Sequence, residues 1–304
     1  MDGIVNVYKE KGFTSHDAVA VVRKCLHIKR VGHTGTLDPD AEGVLPICVG
    51  EATKLADYIM NGKKSYRAML RLGITTTTED ASGEVVEEKP VSVTEAQVRT
   101  AAASLVGERM QIPPMYSAIK VHGKKLYELA REGKEVERKA RKVTIYAIRL
   151  LRFLPPDRAE LEIDCSKGTY IRSLCREMGE ILGCGGHMES LLRTATGQFH
   201  LENAITLAAL RQKAEEGKLE EVLIPMEKAL SDYPQVTVDG SMTKLLHNGG
   251  RIPLRFASSD RTIKVGNTVV VFDSAGVFTG LYLVNQEEKG VVLKPLRLMA
   301  TKDS

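Results

Sequence analysis

Gly32-His33-Thr34-Gly35-Thr36-Leu37-Asp38-Pro39 places one carboxylate, Asp38, in a tight run of glycines and hydroxyls. Glycine gives the backbone conformational freedom, and the small polar side chains let a ligand approach closely. Pro39 fixes the chain just after the acid and biases Asp38 away from helix. Asp, Gly, Thr and Pro are also ordinary turn residues, so local chemistry alone is compatible with a plain surface turn. The reading is decided by what lies around the stretch.

Before it, Ile4 to Tyr8 alternates as a strand stopped by Lys11-Gly12. Thr14 or Ser15 caps a helix whose apolar stripe includes Val19, Val22 and Leu26. After it, Val44 to Val49 reads as a short strand, Glu51 to Ile59 as a helix and Tyr66 to Leu72 as a strand. Thr75 to Asp80 is polar and reads as a loop. Thr94-x-x-Gln97 is a capping-box signal for a helix reaching about Val106. Lys125 to Glu132 reads as helix, Val143 to Leu154 and Ala159 to Cys165 as strands, with Pro155-Pro156-Asp157 between them as a turn. A helix over about Tyr170 to Leu182 is closed by Gly183-Cys184-Gly185-Gly186. These elements mix without a βαβ rhythm, which favours α+β over a doubly wound sheet. A Glu- and Lys-rich helical stretch, Leu207 to Leu230, ends at Tyr233-Pro234; beyond it short β-like runs recur at Thr268 to Phe272, Val277 to Leu283 and Val291 to Leu293.

With 304 residues, 43% of them apolar and 27% charged, the chain reads as an ordinary soluble globular protein of one large or two smaller domains. No run approaches the ~18 apolar residues of a membrane span, and the N-terminus shows no secretory signal. The five cysteines form no Cys-x-x-Cys and read as buried thiols in a reducing, cytoplasmic compartment. The histidines show no ligand spacing, so no metal is expected. Net charge is only +4, but Lys120 to Arg152 holds eleven Lys or Arg against four Glu. A segment carrying the whole positive excess is either a solvated face or a phosphate-facing surface.

Extended to Leu45, the opening stretch resembles the catalytic motif of the tRNA pseudouridine-55 synthases, Gly-His-Thr-Gly-Thr-Leu-Asp-Pro-x-Ala-x-Gly-Val-Leu. Lys9-x-x-Gly12-x-x-Ser15 resembles the family's first motif. Lys64-x-Tyr66 and Cys165-Ser166-Lys167-Gly168-Thr169-Tyr170-Ile171-Arg172 resemble its second and third active-site motifs. Pro113-Pro114-Met115-Tyr116-Ser117-Ala118-Ile119-Lys120 resembles the lead into its RNA-binding insertion. The matches keep their order from about residue 3 to 195, with a weaker echo after 233.

The resemblance implies a pseudouridine synthase fold: a mixed, largely antiparallel sheet with flanking helices. It implies a catalytic domain over residues 1–232 with a basic RNA-binding insertion over about 120–152. A small C-terminal β-barrel of the PUA type would occupy 233–304, although Pro253 to Asp260 matches that module poorly. The implied reaction isomerises uridine-55 in the T loop of tRNA. The sugar–N1 bond breaks, the base turns, and C5 bonds to the same sugar carbon. Nothing is oxidised, so no redox cofactor, nucleotide or metal is needed; a nucleophile or anion, a base holder and exclusion of water are.

By resemblance Asp38 is that anion, Arg172 its cation, and Tyr66 stacks on the base or serves as the base for C5. A cation at a helix start opposes the helix dipole, which favours a partner for Arg172. Gly32, His33, Thr34, Lys64, Tyr170, Leu191, Leu192 and Arg193 are expected to meet the flipped nucleotide. Lys124, Lys125, Lys139 and Lys142, with Arg131, Arg138 and Arg141, are expected to meet phosphates. The implied partner is the T-arm stem-loop of tRNA, met by a monomer without membrane or obligatory protein partner. The competing classes are a non-catalytic RNA-binding or RNA-folding protein, a hydrolase, and a guide-RNA-dependent synthase. The first does not need Asp38. The second normally pairs two carboxylates, and no motif marks Glu42 as the other.

Overall fold

The first strand shows how the architecture is laid down. In β1 (Gly3–Lys9), Val5 and Val7 point to one face and Ile4 to the other, as period-two alternation requires, and both faces are buried. The computed structural model describes residues 1–121, 123–134 and 136–299. After β1 come α1 (Ser15–Leu26), β2 (Val31–His33), β3 (Glu42–Val49), α2 (Ala56–Met60), β4 (Lys64–Leu72), β5 (Ile74–Thr76), β6 (Val85–Glu88), α3 (Glu95–Ser104) and β7 (Gly107–Gln111). The short hairpin β8 (Lys120–Val121) and β9 (Lys124–Lys125) leads into α4 (Leu126–Arg131). The long strands β10 (Arg141–Leu154) and β11 (Arg158–Cys165) then precede α5 (Ile171–Ile181), β12 (Gly186–Thr196), β13 (Phe199–His200), β14 (Ile205–Thr206) and α6 (Leu207–Glu215).

The described residues form one large sheet in the order β14-β1-β3-β12-β4-β11-β10-β7, with β2 added on β3 and β13 on β12. Two of its pairings, β1–β14 and β3–β12, are parallel and the rest antiparallel. The fold is therefore α+β with a mixed, largely antiparallel sheet. Helices α1, α3, α5 and α6 cover one face through Val19, Val22, Val98, Leu174, Met178 and Leu210. Thr14 caps α1 and Thr94 caps α3, each in a reciprocal capping box.

The C-terminal part contributes β15 (Gln235–Val238), α7 (Thr243–His247), β16 (Ile252–Pro253), β17 (Ala257–Ser259), β18 (Thr268–Phe272), β19 (Phe278–Glu287) and β20 (Gly290–Leu298). These strands, in the order β16-β20-β19-β18-β15-β17, make a nearly closed six-stranded barrel. Its interior holds Val236, Val269, Val271, Tyr282 and Leu293. A second core joins it to the large sheet: Val270, Leu281 and Met299 pack with Ile4, Val44, Cys48, Leu55 and Ile59. Residues on either side of position 232 thus share one apolar cluster.

Several local expectations change. Glu51 to Ile59 is a 3-10 turn, Gly50–Leu55, that continues into α2. Leu207 to Leu230 is not one helix: α6 ends at Glu215, Gly217 takes a φ of +69°, and only 3-10 turns follow. The polar stretch from Thr75 begins as part of β5. Strand β12 is a central strand that the sequence pattern does not announce. The basic run Lys120 to Arg152 is also divided, because from Arg141 onward it is β10 of the large sheet. All five cysteines are buried and unpaired. No helix among the described residues is long and apolar enough to cross a membrane.

Candidate active site

Asp38 lies in the loop between β2 and β3, and both of its neighbours are clamped. Ser15, in the first turn of α1, accepts from the Leu37 amide at 2.9 Å and donates to the Leu37 carbonyl at 3.1 Å. The fully buried Lys9 ammonium donates to the carbonyls of Phe13 (2.6 Å), Pro39 (3.0 Å) and Glu10 (3.1 Å). The Gly12 amide also donates to the Pro39 carbonyl, at 2.9 Å. Lys9-x-x-Gly12-x-x-Ser15 therefore brackets the aspartate from both sides. Burial lowers the Lys9 pKa, against the pull of Glu42 and Asp38. Thr34 ties the start of the loop to β3 through two bonds to the Pro46 carbonyl, 3.0 Å from its amide and 3.2 Å from its hydroxyl.

Arg172, the second residue of α5, grips the Asp38 carboxylate with two nitrogens: Nε to Oδ2 at 3.1 Å and Nη2 to Oδ1 at 3.3 Å. Nη1 meets Asp80 Oδ2 at 3.3 Å and the Thr78 carbonyl at 3.2 Å, and Nη2 also donates to the Tyr116 carbonyl at 2.8 Å. The guanidinium thus donates three hydrogen bonds and makes two further ion-pair contacts, on a side chain that is 6% exposed. Asp38 itself keeps 38% of its side chain open. Burial raises its pKa; Arg172 pulls it down, Asp80 pushes it up, and the net direction is upward. Asp80 was not foreseen. It sits in the stretch read as a polar loop, with Oδ1 accepting from Thr78 and Ser82 hydroxyls at 2.6 Å each.

Tyr66 lies on β4 with only 6% of its surface exposed. Burial pushes its phenol up to about 12, with Arg193 acting in the opposite sense and the Asp38 charge adding to the rise. Arg193 stands opposite Tyr66 in the β12–β4 pairing and opposite Gly43 in the β12–β3 pairing. It is 1% exposed; Nε donates to the Val44 carbonyl at 2.7 Å, and Nη2 has no partner. Leu192 pairs with Glu42 at the start of β3, and Leu191, one residue earlier, is buried. The Tyr170 backbone is held both ways by Gln111, at 2.9 and 3.1 Å, and burial raises its phenol pKa. His33 meets His16 edge-on with ring centroids 5.3 Å apart, and burial lowers its pKa. Gly32 pairs with Cys48 on β3.

Lys64 is placed differently. Its ammonium donates to the carbonyls of Met60 (2.8 Å) and Gly62 (3.2 Å), which closes the end of α2 and braces the strand that carries Tyr66. Burial lowers its pKa to about 8. The candidate phosphate contacts lie apart from Asp38, on the segment whose Tyr116 carbonyl touches Arg172. Lys124 pairs with Glu132 at 3.1 Å and Lys142 with Glu108 at 3.0 Å, while Lys125 reaches the Tyr127 hydroxyl at 3.2 Å. Lys139 lines a cleft with Lys120, Arg138 and Arg141, and Arg131 faces the Tyr127 ring at 5.5 Å.

Comparison with known proteins shows the family. Residues 23–171 match the N-terminal domain of the TruB family of pseudouridylate synthases, and residues 172–231 match the C-terminal domain of tRNA pseudouridylate synthase B. The chain is 47% identical over 304 residues to tRNA pseudouridine synthase B of Alkaliphilus oremlandii, covering all of both chains. It is 42% identical over 308 residues to the protein of that name from Bacillus subtilis, covering 99% of each. A chain in the structure of an H/ACA RNP bound to a substrate RNA containing 2'-deoxyuridine superposes with a TM-score of 0.78 at 24% identity, over 99% of this chain and 86% of that one. Identity of that extent along the whole length places this chain in the TruB family of pseudouridylate synthases.

Proposed function

We propose that the protein isomerises uridine-55 in the T loop of tRNA to pseudouridine, with Asp38 as the reacting carboxylate. The observation that carries the reading is the two-point grip of buried Arg172 on a partly open Asp38. The guanidinium favours the ionised acid where burial would neutralise it. Asp80, the next carboxylate, is directed at Arg172 and at its own loop, which supports one reacting acid rather than the spaced pair of a glycoside hydrolase.

The reaction balances without a co-reactant. The C1'–N1 bond breaks, the base turns, a C5–C1' bond forms, and the proton lost from C5 is matched by one gained at N1. Tyr66, on β4, is suited to stack on the base; to take the C5 proton it must first release its own, which burial disfavours and Arg193, opposite it, favours. Tyr170, Leu191 and His33 are suited to exclude water from the turning base, whereas Leu192, paired with exposed Arg67, lies on the other face of the sheet. Gly32 and Thr34 shape the loop, and Lys64 acts from beneath by holding β4.

Residues 1–232 are assigned to catalysis and the barrel over 233–304 to further RNA contact. The basic segment after Pro113 grips phosphates through Lys124, Lys125, Lys139 and Lys142. Extracting a stacked base costs a few kcal/mol, which those contacts offset. The full-length relatives named for tRNA favour a stand-alone enzyme over a guide-dependent one, and we read it as a monomer. The test is incubation with unmodified tRNA, followed by chemical marking of pseudouridine and a primer-extension readout. A mark at position 55 is expected with the parent and none with Asp38→Asn, which still binds the RNA. No mark, or a mark elsewhere, overturns the assignment.

A further inference from the structure

We propose that Glu79 is a positioning residue for the reaction, holding in a strained turn the two groups that lock Arg172 onto Asp38. The inference rests on the catalytic reading of Asp38 above. Glu79 is one of two non-glycine residues among those described with a positive φ, at +63°. Side chains other than those of Gly, Asn and Asp seldom adopt that region, and such strain persists only where the surroundings impose it. Here they do. The Ser173 hydroxyl donates to Glu79 Oε2 at 2.7 Å and Arg176 Nε donates to Oε1 at 2.9 Å. Ser173 is fully buried, and the Glu79 side chain is 16% exposed. The backbone is fixed as well, since the Met188 amide of β12 donates to the Glu79 carbonyl at 3.0 Å.

The flanking residues give this local strain its meaning. The carbonyl of Thr78 and the carboxylate of Asp80, one on each side of Glu79, meet the same nitrogen of Arg172, at 3.2 and 3.3 Å. A left-handed residue between them folds the chain so that both groups converge on one point. The anchors of Glu79, Ser173 and Arg176, belong to the helix that carries Arg172 and are its first and fourth successors. Loop and guanidinium are therefore referenced to one rigid element. Nη1 held on one side leaves Nε and Nη2 aimed at Asp38. Glu79 touches no reacting atom and works through Asp80, Thr78 and Arg172.

Three variants test this: Glu79→Gly, which relaxes the backbone and deletes the anchor; Glu79→Gln, which keeps the shape and removes the charge; and Ser173→Ala, which removes the anchor from the other side. Turnover of unmodified tRNA is measured against pH with the parent in parallel. The expected result is a fall in kcat of about 10- to 100-fold for Glu79→Gly, in line with small misplacements in other active sites, with KM within about twofold. A smaller fall in the same direction is expected for the other two. The acid limb of kcat should also move to higher pH. A loosened Arg172 opposes burial of the Asp38 carboxyl less well, while Asp80, Asp40 and Lys9 around it are unchanged. A merely structural role would not move that limb. Folded variants with the parent's kcat and acid limb overturn the proposal, as does a loss confined to KM. If Glu79→Gly does not fold, the same two readouts on Glu79→Gln and Ser173→Ala decide. A parent without activity on tRNA would instead defeat the catalytic reading itself.

Discussion

Gly43 offers a severe test of how the site is built. It is the second residue of β3, five residues after Asp38, with Arg193 opposite it on one side and Lys9 on the other. Its φ is +107°, a region that L side chains rarely enter. A Cβ there would collide with the Arg193 carbonyl oxygen and lie 2.9 Å from the Arg193 nitrogen and 3.0 Å from its carbonyl carbon. These are backbone atoms of a central strand, so no side chain can swing away. The backbone strain of Gly43→Ala is roughly 1–3 kcal/mol. The overlap adds roughly 1–3 kcal/mol, as overpacking does elsewhere. Together they cost about 2–6 kcal/mol, against a typical total of about 5–15. At a urea slope near ~3 kcal/mol/M, the unfolding midpoint should fall by roughly 0.7–2 M. Gly32→Ala is the control: Gly32 has an ordinary φ, and its added Cβ meets nothing within 4 Å. Its midpoint should stay within about 0.3 M of the parent, because surface substitutions without such a clash change stability by about 0.5 kcal/mol or less. Equal midpoints for the two variants would refute the close approach of β3 and β12 as the reason for glycine. Where Gly43→Ala folds, kcat should drop about 100-fold, because strands bearing Arg193 and the Asp38 loop are forced apart.

The Asp38 carboxyl has its pKa raised above 3.8 in the folded protein, so its ionised form is disfavoured by folding. The stability it contributes is present below the unfolded pKa and lost as pH rises through the folded one. Asp38→Asn should therefore gain on the parent as pH rises from about 4 in urea titrations, while turnover vanishes; a pH-independent difference would contradict the shift. Replacing Lys124, Lys125, Lys139 and Lys142 with Ala should flatten the log–log salt dependence of RNA binding by about 0.7 to 0.9 per lost phosphate contact, and an unchanged slope would move those contacts elsewhere. Ending the chain at Ser231 uncovers Ile4, Val44 and Leu55 by removing Val270, Leu281 and Met299, each worth roughly 1.5–3 kcal/mol when fully buried. The shortened protein should unfold at lower urea or aggregate, and one that stays soluble with the parent's midpoint would show that the shared core is dispensable.

The parts of the fold that announce themselves are those where local chemistry and final position agree. Thr14 and Thr94 cap helices because their side chains satisfy free amides whatever packs above them. Asp38 and Arg172 sit in motifs specific enough to point at each other across 134 residues, and the structure joins them. Strand β12 is hidden because its pattern is broken twice, by register shifts at Met188/Ser190 and Arg193/Ala195. Buried His187 and Arg193 also disguise a central strand as a polar one. Asp80 escapes for a different reason. Its value lies in a contact with a residue 92 positions away, and the Thr and Ser two positions to either side are those of any exposed loop. Lys64 keeps its place in a motif, but its ammonium binds carbonyls at and just beyond the end of the preceding helix, a direction no spacing encodes.

The apolar cluster between barrel and sheet has a mechanical consequence. Val270 and Leu281 press on Ile4 of β1 and on Val44 of β3, the strand that leaves the Asp38 loop and is hydrogen-bonded to β1. Protein interiors are close-packed and barely compressible, so this contact works as a bolted joint rather than a hinge. The span from the barrel to the carboxylate is fixed once the chain has folded. An RNA that touches both must bring that span with it, or bend until it does. On the proposed function the molecule is in this sense a gauge: before any base is read, an RNA of the wrong length between those two points cannot engage both.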